Sequence, residues 1–583
     1  MPNPIPPAPT TMQGFAPLAL ATAFLGLVDL FLVRDLRWLL ENINGLRFQV
    51  NFGLSLFVLW VLLQWLRGLR HRSRVFFGLV CATTGLVYFA QAAYFGVYQK
   101  FIGVFDLRFF VADPVMALSL YAENGSVLKP LLAALASVAV VVGVMGWAIQ
   151  PSRWWHWSAR LLATLFFAIL SANWYSAPAF QIAPVAYMGN VVRALDLRAG
   201  KNSDAVIARP SLATSSPAAN AAHIIWVIGE SLSPRHMGIQ GYERPTTPEL
   251  SRMRDLGELW LYENAVAIGT RTMVSVPYML HGLEGIDPKG VIYKTPSVFN
   301  YAQSAGYQTA LITAQDFQWR NIDRLFVDKD LNHFQQGTDF SSSVNVSVGA
   351  DDHRVLEKGV FPFWTRALKS NPAPIMLVTQ MSGSHPPFAS QVPSELKQFL
   401  PESSPNSVNA YDNTVWYTDL YLKKLVKFVH EKSPNTWVFF TSDHGQYVGD
   451  QETRFHGDLS DAVIHIPLLV FPPKTGVAAW PEQPSAPVSQ ADILPTILDL
   501  MGVQPAAALD GLSLRSPVPA DRIRVVSPYM ITLHNDPKAA IVLPDRQSHE
   551  VDFTQNSVQW SDGRTTPYSE LPEVWRKRFD KRR

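Results

Sequence analysis

Long apolar segments dominate the first third of the chain. Five of them have the length and apolarity of membrane-spanning helices. They are Phe15 to Val33, Phe48 to Leu66, Val75 to Tyr98, Leu131 to Ile149 and Ser158 to Trp174. Residues 1–180 are therefore predicted to form a transmembrane domain of five helices. Asp29 lies within the first segment, where an ionisable side chain is costly, and we expect it to reach headgroup water beside Arg34.

Arginine residues between these segments predict the orientation of the domain. The loop after the second segment and the one after the fourth are both basic, and they contain Arg67, Arg70, Arg72 and Arg74, and Arg153 and Arg160, respectively. Short basic loops stay on the cytoplasmic side of a membrane. Because five spans put the two ends of the chain on opposite sides, everything after the fifth segment is expected on the far side.

The hydrophobic pattern changes after the fifth segment. Residues 181–220 are rich in Ser, Ala and Pro, which is typical of a bridge between domains. From residue 221 onward, short apolar runs alternate with amphipathic stretches. Such runs predict buried strands, and they lie at 224–228, 309–313, 374–380, 436–441 and 464–471.

Two helices can be placed among these strands. Ala410 to Glu431 has one apolar stripe at helical spacing, so this segment, with its Asp412 and Asn413, is interpreted chiefly as a packing element. Another helix should have Thr295 as its N-cap, Pro296 in its first turn and Gly306 as its stop. Residues 221–583 are thus predicted to form an α/β domain with a mostly parallel central sheet.

Charge and cysteine content exclude two possibilities. The chain has 49 basic and 47 acidic residues, a balance that argues against a nucleic-acid partner. Cys81 is the only cysteine, so no intramolecular disulfide can form.

Polar residues follow two of the predicted strands. Glu230 ends the run at 224–228, and Asp443 and His444 follow the run at 436–441. Two carboxylates and one imidazole suit Zn²⁺ with one coordination position open. Thr272 lies at a predicted helix start, where backbone N–H groups attract anions and a nearby metal can activate a hydroxyl. These pieces together favour phosphoryl chemistry.

A set of motifs spread over residues 223–505 carries a family resemblance: IGES and GYERPTTPEL, GTRT and SVP, GSHPP, YDNTVWYTD, SDHG, FHG and DILPTILDLMGV. In this order they resemble the phosphoethanolamine transferases of the bacterial envelope, a branch of the alkaline phosphatase and sulfatase superfamily. The resemblance implies a bacterial inner-membrane protein with several spans and a periplasmic catalytic domain of alkaline phosphatase/sulfatase type. Relatives often place a disulfide beside the nucleophile loop, where this chain has Ile268 and Tyr278, so packing alone is expected to hold that loop.

The resemblance also implies roles for individual residues. Glu230, Thr272, Asp443 and His444 match the zinc shell, with Thr272 as the nucleophile. Thr270 is an alternative nucleophile. Ser275 resembles the start of a sulfatase motif, Ser-x-Pro-x-Arg, but Met279 stands where that motif has Arg.

Three more residues match positions that relatives use for substrate. His385 and His456 correspond to residues that bind the phosphoryl group or a second metal, and Gln315 lies where relatives contact substrate. Many relatives have an acidic residue where this chain has Gln446, which lowers the negative charge available to a second metal. His236, His281 and His465 lack such context and are interpreted as structural.

The resemblance implies transfer of phosphoethanolamine from phosphatidylethanolamine to lipid A, the lipopolysaccharide core or another envelope glycan, through a phosphothreonine. One zinc ion is expected, with a second near the substrate phosphate left open. The alternatives are a phosphoglycerol transferase on the same fold, a phosphodiesterase or sulfatase-like hydrolase, and a non-catalytic membrane sensor. The membrane domain favours a transferase, because tethering concentrates lipid substrates at the site.

Overall fold

The chain divides into two compact units, Met1–Asp204 and Ala205–Arg583. The computed structural model describes residues 15–580 except 35, 67–72, 99–100, 103–126, 147–152, 173–179, 200–208, 210–211, 218–219, 288–290, 318–324, 342–343, 345–348, 371, 450–454, 477–479, 529–537 and 554. Each unit has hydrophobic clusters of its own.

All secondary-structure elements described in the first unit are helices. Its helices are α1 (Phe15–Val28), α2 (Leu36–Asn42), α3 (Leu46–Leu66), α4 (Arg74–Tyr98), α5 (Leu128–Gly146), α6 (Arg153–Ala172) and α7 (Ala183–Ala199). Helix α7 falls inside the stretch predicted as a bridge. The last three residues of the fourth predicted span and the last two of the fifth lie outside the described residues.

Two segments of the described helices, Phe48–Leu66 and Arg74–Gly96, are long and apolar enough to cross a membrane by length and composition. The second and third predicted spans thus meet this measure among the described residues, and the other three stay predictions. Shorter apolar stretches lie at Leu18–Val33, Leu128–Val144 and Arg160–Leu170. The first is divided, because α1 ends at Val28 and a π-helical turn continues to Val33.

Asp29 does not reach water, contrary to expectation. Asp29 and Arg34 are both fully buried and form an ion pair. The second carboxylate oxygen of Asp29 accepts the Ala183 backbone N–H at 2.8 Å, and Arg34 donates to the Gln181 carbonyl at 2.6 Å. Two charges buried this deeply need polar partners. Because these partners are backbone groups of residues 181 and 183, the ion pair also holds the start of α7.

The second unit is built on a seven-stranded sheet. In chain order the strands are β1 (His223–Gly229), β2 (Trp260–Tyr262), β4 (Gln308–Thr313), β5 (His333–Gln335), β6 (Ile375–Gln380), β7 (Thr436–Ser442) and β8 (Leu468–Phe471), and in space they run β2-β8-β7-β1-β6-β4-β5. The sheet is mixed: β8 is antiparallel to both of its neighbours, and every other pairing is parallel. Strand β8 is therefore the single reversed strand of this sheet.

Strand β1 lies at the centre of the sheet and explains its layering. Successive side chains of a strand point to opposite faces. Ile224, Trp226 and Ile228 accordingly belong to one hydrophobic cluster, and Ile225 and Val227 belong to the other. Both faces of the sheet are therefore covered, which is why the strand is a continuous apolar run.

Helices and a smaller sheet complete the unit. The helices are α8 (Pro248–Asp255), α9 (Thr272–Leu280), α10 (Val298–Ser304), α11 (Asp352–Val355), α12 (Phe361–Ser370), α13 (Val408–Lys432), α14 (Asp461–Ile464), α15 (Ile493–Met501) and α16 (Glu573–Asp580). Strands β3 (Ala265–Val266) and β9 (Val488–Ser489) pair, and an antiparallel sheet holds β10 (Arg524–Val526), β11 (Lys538–Val542), β12 (Ser548–Asp552), β13 (Ser557–Gln559) and β14 (Thr565–Pro567).

Two element boundaries differ from the sequence prediction. The N-cap of α10 is Ser297, and Thr295 instead donates to the Val291 carbonyl at 3.0 Å. The run predicted as a strand from Ile464 begins as a strand only at Leu468, because 461–464 form the short helix α14 and Pro467 has no N–H to pair.

Candidate functional site

Two carboxylates and one imidazole lie together at the carboxyl ends of β1 and β7. Strand β1 pairs in parallel with β7, with Gly229 opposite Ser442. The next residues are Glu230 on one strand and Asp443 and His444 on the other. Parallel strands end at the same edge of a sheet, so ligand atoms of all three residues lie within 4.8 Å of one another, and all three residues are buried.

Glu230 is the hub of the hydrogen bonds at this edge. Its Oε1 accepts from the Ser231 hydroxyl at 2.7 Å, and its Oε2 accepts from Gln315 Nε2 at 2.8 Å and from the Thr272 hydroxyl at 3.1 Å. Gln315 also donates to the Met381 carbonyl at 3.0 Å. The structure thus brings Thr272 and Gln315 to the same carboxylate.

Thr272 is the first residue of α9, and Arg271 before it is the extended N-cap. The Thr272 hydroxyl is therefore at the positive end of a helix and half-buried. Thr270, the alternative, is fully buried, and its hydroxyl has no hydrogen-bond partner among the residues that the structure describes. Ser275 is also buried and donates to the Gly269 carbonyl at 3.0 Å. Of the three hydroxyls, Thr272 is the one at the carboxylate cluster.

The tautomer of His444 leaves one ring nitrogen for a metal. Its Nδ1 lies 2.9 Å from the Gly445 carbonyl oxygen, so Nδ1 must carry the proton and donate it. The Nε2 lone pair then points into the cluster, 3.5 Å from Glu230 Oε1 and 3.3 Å from Asp443 Oδ2. Outer hydrogen bonds of this kind orient metal-bound histidines.

The cluster passes a test of fit for zinc. Asp443 Oδ2 and His444 Nε2 are buried without a hydrogen-bond partner in the described part of the chain. Ligands about 2.0 Å from a tetrahedral ion lie about 3.3 Å apart. The separations between Glu230 and both Thr272 and His444, and between His444 and Asp443, run from 3.1 to 3.5 Å.

The electrostatics of the cluster also favour a cation. Burial and the charge of Glu230 raise the pKa of Asp443 well above its usual range. Burial acts to raise the pKa of Glu230 as well, but His444, His385 and hydrogen-bond donors hold it below its usual value. Burial lowers the pKa of His444. A bound cation would relieve the repulsion between the two carboxylates.

His385 and His456 flank the cluster. The His456 ring centroid lies 4.5 Å from that of His444 and 6.0 Å from that of His385. His456 Nδ1 donates to Gln446 Oε1 at 3.2 Å, and His385 Nδ1 donates to the Pro386 carbonyl at 2.7 Å. Gln446 therefore fixes a histidine tautomer, and both histidines keep Nε2 as an acceptor.

Gln490 is a supporting residue that no sequence pattern singled out. Its side chain donates to the Ser442 and Asp443 carbonyls, the latter at 2.7 Å, and its Oε1 accepts the Ile268 N–H at 2.7 Å. It thereby ties the Thr272 loop to the end of β7. The prediction that packing alone holds the loop was incomplete, although Ile268 and Tyr278 are both fully buried.

Other polar residues of the motifs stabilise the fold. Asp412 accepts from Tyr242 at 3.0 Å and from Arg244 at 2.8 Å, and it contacts His236 Nδ1 at 2.8 Å. Asn413 accepts backbone N–H groups of 398 and 399. These contacts agree with the interpretation of 410–431 as a packing element.

His281 and His465 are buried in the interior, and each has a lowered pKa. Burial is the main cause of both shifts, to about 3 for His281 and about 4 for His465. Neutral interior imidazoles of this kind fit the structural roles predicted for them.

Comparison with known proteins agrees with this geometry. The family model described as Sulfatase matches residues 222–503. The phosphoethanolamine transferase EptA of Helicobacter pylori is 24% identical over 364 residues, which are 61% of this chain and 63% of that protein. The Kdo(2)-lipid A phosphoethanolamine 7''-transferase of Escherichia coli K12 is 24% identical over 262 residues, or 43% of this chain and 44% of that protein. The matched region thus spans less than two thirds of either relative.

The fold extends the likeness beyond these regions. The integral membrane lipooligosaccharide phosphoethanolamine transferase A, EptA, of Neisseria meningitidis superposes with a TM-score of 0.58 at 17% identity. The superposition covers 84% of this chain and 95% of that one. At this identity the likeness establishes a shared fold.

Proposed function

We propose that the chain is a zinc-dependent phosphoethanolamine transferase whose catalytic domain includes residues 222–503, the segment that matches the Sulfatase family model. The observation that carries the proposal is the position of the Thr272 hydroxyl, 3.1 Å from Glu230 in a buried cluster with Asp443 and His444. The names of the curated relatives support the group that is transferred. Zn²⁺ held by Glu230, Asp443 and His444 would lower the pKa of the Thr272 hydroxyl and polarise a phosphoryl oxygen.

We infer two half-reactions. In the first, a bond forms between Thr272 Oγ1 and the phosphorus of phosphatidylethanolamine, and the bond from phosphorus to the diacylglycerol oxygen breaks. The threonine proton passes to Nε2 of an imidazole, His385 or His456, and that imidazole then gives it to the departing oxygen. In the second, an acceptor hydroxyl gives its proton to that imidazole and attacks phosphorus, the bond from phosphorus to Thr272 breaks, and the Thr272 oxygen takes the proton from the imidazole.

The acceptor and the membrane arrangement belong to the same proposal. We place the acceptor among lipid A, the lipopolysaccharide core and other envelope glycans, in keeping with the name of the Escherichia coli relative. Residues 1–180 would cross the bacterial inner membrane five times, 181–220 would bridge, and 221–583 would form the periplasmic catalytic domain. Gln315, His385 and His456 would contact the substrate phosphate.

The mass of the intact protein tests the proposal. Purified protein is incubated with zinc and phosphatidylethanolamine, and a gain of one phosphoethanolamine group is expected for the unchanged chain and for Thr270→Val. No gain is expected for Thr272→Ala. Thr270→Val is the matched control, because its hydroxyl is buried without a hydrogen-bond partner among the described residues. A gain only with phosphatidylglycerol would favour the phosphoglycerol transferase, and an adduct on Thr272→Ala would refute the nucleophile.

A further inference from the structure

Arg271 lies between the two threonines of the nucleophile loop, and the proposed mechanism has not used it. It is the N-cap of α9 with extended backbone angles, φ −150° and ψ 143°, and it is half-buried. Its neighbour Thr272 is the proposed nucleophile. A cation at this position is therefore next to the reacting oxygen in the chain.

The guanidinium of Arg271 packs against Gly457. A Cβ atom built on Gly457 would lie 2.5 Å from Nη2, 2.7 Å from Cζ and 3.0 Å from Nε of Arg271. Gly457 has φ +99°, and the absence of a side chain there makes room for the guanidinium plane. The Phe-His-Gly loop therefore fixes where this charge lies.

The same loop carries His456, one residue before Gly457. The His456 ring centroid is 4.5 Å from that of His444, a member of the carboxylate and imidazole cluster. Arg271 thus has two neighbours of the site: Thr272 follows it in the chain, and His456 precedes the glycine against which its guanidinium packs. Both neighbours are proposed to face the phosphoryl group.

We propose that Arg271 binds the substrate phosphate, with its guanidinium donating two hydrogen bonds to the non-bridging oxygens of the phosphodiester. A planar guanidinium matches two oxygens of one phosphate and keeps its charge at any working pH. Donors fixed in advance at a phosphoryl group stabilise the charge that shifts onto its oxygens during transfer. This inference rests on the proposed function and assigns its substrate-binding cation.

The experiment measures the rate of adduct formation on the full chain with zinc and phosphatidylethanolamine in mixed micelles. Loss of one such fixed donor costs about 100-fold or more, so Arg271→Ala should slow the adduct by at least about 100-fold at unchanged zinc content. Arg271→Lys should form the adduct at a rate between those of the unchanged chain and Arg271→Ala, because lysine keeps the charge but cannot donate two parallel hydrogen bonds to one phosphate. Guanidinium ion at a concentration that leaves the protein folded should partly restore Arg271→Ala and leave Thr272→Ala inactive.

A second pair of variants keeps the charge and moves it. Gly457→Ala puts a methyl group where the guanidinium lies and should also slow adduct formation. Gly241→Ala is its matched control, since Gly241 has φ +97° and open space around a Cβ atom. It should react like the unchanged chain.

The outcomes separate the two proposals. A rate for Arg271→Ala within about threefold of the unchanged chain, a margin far below the loss expected for a fixed donor, overturns the role of Arg271 alone. The same holds if guanidinium gives no rescue while the variant stays folded and binds zinc. Absence of any adduct on the unchanged chain overturns the proposed function and this inference with it.

Discussion

Asp443 is a buried carboxylate whose charge would favour zinc binding and would destabilise the metal-free fold. Its Oδ1 accepts the Ser231 and His444 N–H groups at 2.9 and 2.8 Å, while its Oδ2 faces His444 Nε2 without a donor. In Asp443→Asn the amide oxygen can keep both bonds, and the new N–H₂ group can donate to His444. We expect the variant to lose zinc, measured by metal analysis, and to unfold without metal at the same or a higher temperature.

Asp412→Asn is the matched control for this prediction. Asp412 is equally buried, but Arg244 and Tyr242 bind it, so removing its charge should cost about 2 kcal/mol. Zinc content should be unchanged. The assignment of Asp443 as a ligand fails if Asp443→Asn keeps its zinc, or if Asp412→Asn loses zinc to the same extent.

Residues of the site differ in how far the sequence predicted their positions. Glu230 and Asp443 each follow an apolar run. Because parallel strands end at the same edge of a sheet, this pattern alone places the two carboxylates together. Gln315 was predicted from the resemblance and hydrogen-bonds Glu230 at 2.8 Å. Gln490 could not be predicted, because its contact with Asp443 joins residues 47 positions apart and no local pattern records it.

At the scale of elements, Ser297 rather than Thr295 should control the stability of α10. The Ser297 hydroxyl accepts the Asn300 N–H at 3.4 Å, and Asn300 Oδ1 accepts the Ser297 N–H at 2.7 Å, which together form a capping box. Loss of an N-cap hydroxyl costs about 1 kcal/mol. Ser297→Ala should therefore lower the free energy of unfolding by about that much, measured in denaturant.

Thr295→Ala is the comparison for that measurement. The Thr295 hydroxyl donates to the Val291 carbonyl at 3.0 Å, outside α10. Thr295→Ala should therefore lower the free energy of unfolding by less than Ser297→Ala does. Equal losses for the two variants would contradict the assignment of Ser297 as the cap.

The same region explains why element boundaries are harder to predict than elements. Thr295 and Ser297 are both good caps on either side of Pro296, and the choice depends on Asn300, whose amide also donates to Asp328 and Asp330. Likewise, the apolar run from Ile464 looks continuous, but Ser460 precedes a helical turn and the strand begins only at Leu468. The long helix α13, with a full stripe, was predicted to within two residues at each end.

At the scale of the molecule, we expect the two units to have different tasks. The second unit should bind zinc and carry out the chemistry, and the first should give access to lipid substrates. Residues Ala205–Arg583 form a compact unit that contains every proposed site residue. We expect this fragment to fold, to bind zinc as the full chain does, and to form the adduct with a short-chain, water-soluble phosphatidylethanolamine at a comparable rate.

Bilayer substrate should distinguish the fragment from the full chain. Tethering a site to its substrate raises effective concentration, by about 100-fold or more in favourable cases. With phosphatidylethanolamine in vesicles, the fragment should therefore form the adduct about 100-fold more slowly than the full chain reconstituted in the same lipid. Thr272→Ala in the fragment controls for non-specific modification. Equal rates for fragment and full chain on vesicles would show that the first unit contributes nothing to lipid delivery, and the role proposed for residues 1–180 would have to be abandoned.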